Sequence, residues 1–284
     1  MILTYKPDDR FIRLSYMLQK QSIKPGRIIV INTEEKYFNM PRDLREGLPG
    51  LEVHHISSKE FNHGATRNKG AGYSDSEFLI FMTQDAVPED EHLLEELQRP
   101  MEDSKVAVSY ARQLPSGEAG EIERFNRLFN YPDRDILKTK EDIKKLGIKA
   151  LFCSDVCACY RRSVFDSLGG FVYTDFNEDM IFAYHALMAG YGIYYASRGK
   201  VIHSHEYSLM QQFKRNIVLG RSQRRHPEVF GGLVSEGEGK KLVKGCISYL
   251  LKKRKPWLIP VFVAHCAARY AGFLIGKHFD HHGE

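Results

Sequence analysis

The chain has 284 residues, 43% of them hydrophobic, and a formal charge of +5; that is enough to bury a substantial core as one large α/β domain, with or without an appendage. The composition excludes an intrinsically disordered chain, and so small a charge for this size gives no argument for nucleic-acid binding. Five cysteines (Cys153, Cys157, Cys159, Cys246 and Cys266) form an odd set without paired C-x-x-C spacing, so reduced, mostly buried thiols are expected rather than a disulfide framework or a zinc site.

Residues 1–4 read as a short strand. Phe11, Leu14, Met17 and Leu18 recur at helical spacing before Lys24-Pro25-Gly26 breaks the pattern, and 27–31 follows as a β-branched strand running into Asn32-Thr33. Strand, helix, strand is the opening of a parallel sheet. A further strand is expected at 51–56, a helix rich in small residues at 64–74, and a continuous apolar strand, of the kind buried on both faces, at 77–82. Asp85 then stands just beyond a strand's carboxyl end. Ligands of open parallel sheets bind outside those ends, so Tyr5, Asn32 and Asp85 are expected to converge on one crevice.

Residues 106–110 read as a strand, 113–149 as polar and irregular with short helices, 153–160 as a buried strand and 162–168 as a short helix stopped by Gly169-Gly170. Asn177 is a candidate cap for a helix through Ala189, after which 193–196 and 200–203 look like two strand pieces. Ser208 with Gln211 is a capping-box start for another helix. From Lys240 to Phe279 nine Lys and Arg occur with no Asp or Glu, interleaved with Trp257, Phe262, Tyr270 and Phe273. His265 and Arg269 interrupt that apolar run, so a segment lying on an anionic membrane surface is expected rather than a spanning helix, the alternative being a helix packed on the protein. The amino terminus shows no sustained apolar stretch, so no secretory signal is expected; the location that follows is cytoplasmic, peripheral on the inner face of the plasma membrane.

Four stretches carry candidate chemistry. Asp85 in "FMTQDAVP" offers a carboxylate to a hard divalent cation such as Mg2+ or Mn2+, or is a loop acid capping the next helix. "FNHGATRN" at 61–68 suits a turn into a helix whose amides and Arg67 meet a phosphate, or a surface turn with a salt-bridging arginine. Glu178 and Asp179 sit in a first helical turn, where the dipole favours acids and should keep a general base ionised. His203 and His205 share a face if their strand persists and can complete a metal site, while Lys214, Arg215, Arg221, Arg224 and Arg225 are enough to hold a diphosphate or to solvate a helix.

Taken in order, "TYKP", "VINTEE", "FNHGATRN", "FMTQDAVP", "FCSDVCACYRRSVFDSLGGF", "NED" and "HSHEYS" resemble the inverting family 2 glycosyltransferases of GT-A fold, in particular bacterial rhamnosyltransferase-like members, over about residues 1–232. The resemblance implies an α/β fold with a mixed, mostly parallel nucleotide-binding sheet flanked by helices, here as a 1–232 catalytic domain followed by a basic, amphipathic helical segment at 233–284. It implies that Thr4, Tyr5 and Asn32 border the nucleotide base, and that Arg67, Gln84, Asp85 and Arg215 lie near the nucleotide sugar. It further implies that Asp85 and His203 hold the cation, that Asp179 is the catalytic base, and that Asp155 and Glu178 lie on the acceptor side. The implied activity is metal-dependent inverting transfer of a hexose, a deoxyhexose such as rhamnose being favoured, from a nucleotide diphosphate sugar to a glycan or lipid-linked acceptor in cell-surface polysaccharide synthesis, with no nucleic-acid partner. The sequence departs from the family pattern at Thr83, where the first aspartate of the D-x-D metal motif usually stands, at Asn32, where many relatives carry an aspartate, and at Lys6. A sugar-phosphate nucleotidyltransferase and a non-catalytic glycan-binding protein of the same fold are the alternatives.

Overall fold

The computed structural model describes residues 1–48, 50–233 and 236–279. Among them nine strands are formed: β1 (Ile2–Tyr5), β2 (Ile28–Thr33), β3 (Leu51–Ile56), β4 (Phe78–Thr83), β5 (Val87–Pro88), β6 (Val106–Leu114), β7 (Ile136–Lys138), β8 (Cys157–Arg161) and β9 (Gly192–Ile202). The helices are α1 (Asp9–Lys20), α2 (Arg42–Glu46), α3 (His63–Ala71), α4 (Leu93–Gln98), α5 (Glu121–Asn130), α6 (Asp142–Leu146), α7 (Arg162–Ser167), α8 (Glu178–Met188), α9 (Leu209–Arg225), α10 (Pro227–Phe230), α11 (Glu236–Lys252) and α12 (Leu258–Leu274). One mixed sheet runs in the order β3-β2-β1-β4-β8-β6-β9-β5, with β7 also paired to β9.

Its first half is the parallel sheet expected from the sequence. β1 lies between β2 and β4, and the register that sets Thr4 opposite Asn32 and Leu3 opposite Thr83 brings three carboxyl ends to one edge. β2 is buried at every position, as an interior strand covered on both faces must be. β8 runs antiparallel to β4, so residues just before it return to the end from which Thr83 emerges, and Thr83 N donates to Val156 O at 3.1 Å. β5 pairs with the end of β9, Val87 opposite Ile202, which draws the Asp85 turn against the segment beginning at His203. Three antiparallel or crossover pairings thus place loops from distant parts of the chain around one edge.

Local chemistry explains the elements. Asp8 caps α1 by accepting from Arg10 N at 3.0 Å, and Phe11, Leu14 and Leu18 form its buried stripe. The Ser208–Gln211 capping box opens α9 as expected. One face of the sheet packs an aromatic cluster of Phe81, Tyr160, Phe165, Phe171 and Phe182, and the other packs Leu14, Leu93 and Leu97. All five cysteines are free thiols.

Three expectations are corrected. The strand read at 153–160 begins only at Cys157, because Ser154 to Val156 form the turn that feeds the site. The two pieces at 193–196 and 200–203 are one strand, β9, with a bulge: Ala111 pairs Ala196 and Arg112 pairs Lys200, and Ser197 turns aside to donate its backbone N–H and hydroxyl to Asp135. Asn177 does not cap α8 through its side chain; it adopts the left-handed region, φ 67°, which asparagine tolerates, and its amide donates to Ser222 Oγ at 3.1 Å.

The last helices pack by one face. Cys246, Leu250 and Phe262 make a small core with Phe125 of α5, and α12 lies directly on α9. A Cβ at Gly276, in the turn after α12, would stand 2.0 Å from Ile217 O, and one at Gly272 2.3 Å from Phe213 O, so this contact needs glycine. The stretch Leu258–Phe279 is 22 residues and contains an 18-residue window of mean hydropathy 1.6, long and apolar enough by length and composition to cross a membrane.

Candidate active site

Thr4 and Asn32, side by side at the ends of β1 and β2, are buried, and Thr4 Oγ1 donates to Asn32 Oδ1 at 3.0 Å. The Asn32 amide also lies 3.2 Å from Glu34 O and 3.1 Å from His55 Nδ1, so it ties strand ends together. Gln84 does the same for β1: its Oε1 accepts from Tyr5 N at 2.8 Å and its Nε2 donates to Tyr5 O at 3.1 Å. What faces outward is aromatic. Tyr5 is 49% exposed and meets Tyr37 edge-to-face, with Lys6 Nζ above both rings. Sequence reading had not singled out Tyr37; an exposed aromatic just past Asn32 was the available signal.

Around Asp85 the donor atoms of Asp85, His203 and His205 all lie within 4.8 Å of one another. His205 Nε2 stands 2.9 Å from Asp85 Oδ2 and 3.0 Å from His203 Nε2, and His203 Nε2 is 3.6 Å from Asp85 Oδ1. His203 Nδ1 is 2.9 Å from Gln113 Oε1, an oxygen that also accepts from Arg127. Nδ1 must therefore carry the hydrogen, which leaves the Nε2 lone pair directed at Asp85 and His205. Burial holds the His203 imidazole neutral, pulling its pKa down to about 3 against the opposing charge of Asp85. Burial, the largest single influence, would push the Asp85 carboxyl up, but the hydrogen bond from His205 and the electrostatic pull of the His203 and His205 rings together outweigh it and hold Asp85 well below the usual carboxylate range. An ionised carboxylate and neutral imidazoles are the forms that bind a metal. The resemblance marked His203 but not His205 as a ligand, and the shared face depended on the strand persisting; β9 ends at Ile202, and a loop, not strand periodicity, swings the His205 ring back to Asp85. Thr83 Oγ1 is buried without a hydrogen-bond partner.

The third part is a carboxylate cluster in a cleft of about 320 Å³, bordered by Thr83, Asp155, Glu178, Asp179 and Arg215. Arg67, 3% exposed, places Nη1 2.6 Å from Glu178 Oε1 and Nε 3.2 Å from Asp155 Oδ2, the latter a charge pair without hydrogen-bond alignment. Its guanidinium is thus engaged by the protein's own acids, not left toward a phosphate. The rest of the "FNHGATRN" motif does similar work. Asn62 donates to Thr174 O, Asn68 brackets Phe171 with bonds of 2.8 and 2.9 Å, and a Cβ at Gly64 would lie 2.1 Å from Val172 O. The motif clamps the loop that delivers Glu178 and Asp179.

Asp179 accepts from Met180 N at 2.7 Å and from Asp155 N at 3.3 Å. The helix dipole was expected to keep it acidic; the structure reverses that, because burial and the neighbouring charges of Glu178 and Asp155 push its carboxyl well above the ordinary value. Burial likewise lifts Asp155 to about 6, with the Arg67 charge and the Tyr160 hydroxyl, 2.6 Å from Asp155 Oδ1, pulling the other way. Asp155 and Glu178, expected beside the acceptor, hold Arg67. Arg215 lies over the rings of Phe176 and Tyr207, and it borders both this cleft and a second one that includes His205.

A family model described as glycosyl transferase family 2 matches residues 18–169. The chain belongs to glycosyltransferase family 2. This glycosyltransferase is 39% identical over 270 residues to the O-antigen chain rhamnosyltransferase WbaN of Salmonella anatum, covering 93% of this chain and 84% of that one. It is 36% identical over 285 residues to the O-antigen chain rhamnosyltransferase RfbN of Salmonella typhimurium, covering 99% and 89%. Among solved structures it resembles the mannosyltransferase PcManGT of Pyrobaculum calidifontis in complex with GDP-Man and Mn2+ (TM-score 0.59, 15% identity, 95% of this chain and 74% of that one). It also resembles TarS 1-349 of S. aureus in complex with UDP (TM-score 0.53, 13% identity, 98% and 89%). These likenesses establish the GT-A fold, and the family match gives the nucleotidyltransferase and non-catalytic alternatives no support.

Proposed function

We propose that this glycosyltransferase moves rhamnose from a nucleotide diphosphate sugar to a lipid-linked glycan of an O-antigen-type polysaccharide, with inversion at the anomeric carbon. The rhamnosyl assignment rests on the two Salmonella relatives, which match nearly the whole chain. The mechanism rests on one observation: Asp179 shares its cleft with Thr83, at the end of the strand leading to Asp85, and with Arg215. The exposed Tyr5 and Tyr37 rings, at the ends of β1 and β2, are placed for a nucleotide base.

Asp85, His203 and His205 would hold a divalent cation, as the first solved neighbour holds Mn2+. A carboxylate with two imidazoles suits Mn2+ better than Mg2+, which prefers all-oxygen ligands. The bound cation supplies positive charge against that of a departing diphosphate, and Arg215 adds a second positive group. Asp179 removes the proton of the attacking acceptor hydroxyl. Its raised pKa makes it a stronger base once ionised, and such catalysis contributes about 10²- to 10⁴-fold. A single displacement inverts configuration, as the opposed carboxylate and nucleophile do in inverting glycosidases. Residues 1–232 form the catalytic unit. The segment from 233 onward rests on the anionic inner face of the plasma membrane, because Trp257, Val261, Val263 and Tyr270 stay exposed beside the basic Lys252, Lys253 and Arg254.

The reading is tested by Asp179→Asn and Asp85→Ala. With Mn2+ present, the first should abolish transfer and leave nucleoside diphosphate binding intact, whereas the second should weaken binding of the metal-nucleotide complex. Equal loss of binding in both variants overturns the division of roles.

A further inference from the structure

Arg10 has no part in the Asp179 cleft, yet it reaches the candidate metal cluster. Asp8 caps α1 and grips this arginine by one edge: its carboxylate accepts from Arg10 Nη2 at 2.7 Å and from Nε at 3.0 and 3.2 Å. Nη1 is left outside that fork. It stands 3.6 Å from Asp85 Oδ2, the oxygen that His205 Nε2 also approaches at 2.9 Å. Packing fixes this placement. Phe11 and Leu14 of α1 share a core with Ala86 and Val87, just past Asp85. At the far end of α1 the Gln21 side chain donates to Asp90 O at 2.8 Å and accepts from Leu94 N at 3.0 Å.

Negative charge around Asp85 is scarce for a divalent cation. Asp85 is the one carboxylate in the cluster, the other two donors being imidazoles. Asp8 is spent on Arg10, so these two carboxylates and one guanidinium leave a single negative charge. A cation accepted by Asp85 meets a guanidinium already turned to the same oxygen, and two positive groups around one carboxylate repel. An anion placed between them removes that repulsion. A diphosphate can put one oxygen on the cation and another on the N–H groups of Nη1, which bond neither carboxylate. The Arg10 side chain is 45% exposed against 10% for Asp85, so its free edge is open to a ligand arriving from solvent. Arg215 approaches the same cluster from α9, 5.4 Å from the ring of Tyr207, which stacks on His205.

We propose that Arg10 binds the donor's diphosphate and opposes the cation when no diphosphate is present, so that cation and nucleotide are held well only together. This role rests on the metal and donor reading given above and deepens it, by assigning the residue that couples the two ligands. Its mark is a pair of changes of opposite sign. Removing Arg10 strengthens binding of the cation alone and weakens binding of the nucleotide, whereas loss of a merely structural contact weakens both.

The test uses the full chain and two titrations. Mn2+ alone is followed by the electron paramagnetic resonance signal of the free ion. At saturating Mn2+, whichever of UDP, GDP and dTDP gives the largest thermal shift is then titrated calorimetrically. Arg10→Gln should bind Mn2+ alone about threefold more tightly or better, by a margin that shrinks as salt is raised, and should bind the nucleotide about tenfold more weakly. Arg10→Lys, which keeps the charge, should return the Mn2+ affinity toward the native value. Because Arg10→Gln also frees Asp8, Asp8→Asn is compared with Asp8→Asn/Arg10→Gln. Asparagine still caps α1, and the double variant should again bind Mn2+ more tightly than the single one. Mn2+ affinity that stays level or falls when Arg10 is removed in the Asp8→Asn background, or nucleotide affinity indifferent to Arg10→Gln, overturns the role of Arg10 and leaves the donor reading intact. If none of the three nucleotides binds the native chain with Mn2+, the donor reading itself fails, and the role of Arg10 with it.

Discussion

Replacing Arg67 by Met keeps most of the side-chain volume and removes the positive charge paired with Asp155 and Glu178 beside Asp179. The guanidinium is buried, 2.6 Å from Glu178 and 3.2 Å from Asp155. Breaking a buried pair by removing one partner typically costs about 3–5 kcal/mol, because the remaining charge has lost its compensation. Here the cost must depend on pH. Asp155 already stands at about 6 in the folded protein against an ordinary 3.8, so its ionisation opposes folding: stability is fully present below the unfolded value and is lost as pH rises through the folded one. Over that interval the loss is on the order of 3 kcal/mol. Without Arg67, whose charge pulls Asp155 down, the folded pKa climbs further, so the variant goes on losing stability at pH values where the native protein has levelled off. Urea unfolding followed by circular dichroism should therefore show Arg67→Met destabilised by about 3–5 kcal/mol at pH 8 and by less than half of that at pH 5. A loss equal at the two pH values would mean that packing, not charge, carries the effect, and a loss below about 1 kcal/mol at pH 8 would refute the cluster as an electrostatic unit.

Because the pKa of Asp179 is raised, transfer should fall with dropping pH well before the ordinary carboxylate range is reached, and a pH profile of kcat/KM that falls only within that ordinary range would contradict its role as base. Gln113→Leu leaves every expected ligand in place but removes the oxygen that fixes His203 Nδ1–H; titration should show Mn2+ affinity reduced about 10- to 100-fold. Gly276→Val puts a side chain where a Cβ already meets Ile217 O at 2.0 Å, so the α9–α12 contact should part at a cost of about 1–3 kcal/mol or more, read as a lower Tm.

Much of the parallel half was legible because its signals are local. A β-branched apolar run such as Ile28–Ile31 reads as an interior strand, and the placement of Asp85 beyond the end of such a run follows from the sheet rule alone. The Ser208–Gln211 capping box and the buried stripe of α1 involve residues within a few positions of one another, and both formed as read. The bulge in β9 was not legible, since it depends on Asp135, more than sixty residues away, accepting the bonds of Ser197.

By itself, the sequence determined the strands and helices of the parallel half, where Asp85 stands relative to its strand end, and which family the ordered motifs resemble, since each of these depends on neighbours along the chain. Tertiary structure decided what those side chains do. Only the pairing of β5 with β9 brings His205 to Asp85, and only the antiparallel return of β8 sets Asp155 and Arg67 around Glu178 and Asp179. Proximity of charges in a buried site changes the sign of a pKa shift that helix position alone would give the other way; Asp179 is raised, not lowered, because its neighbours in space are acids that its neighbours in sequence only partly reveal.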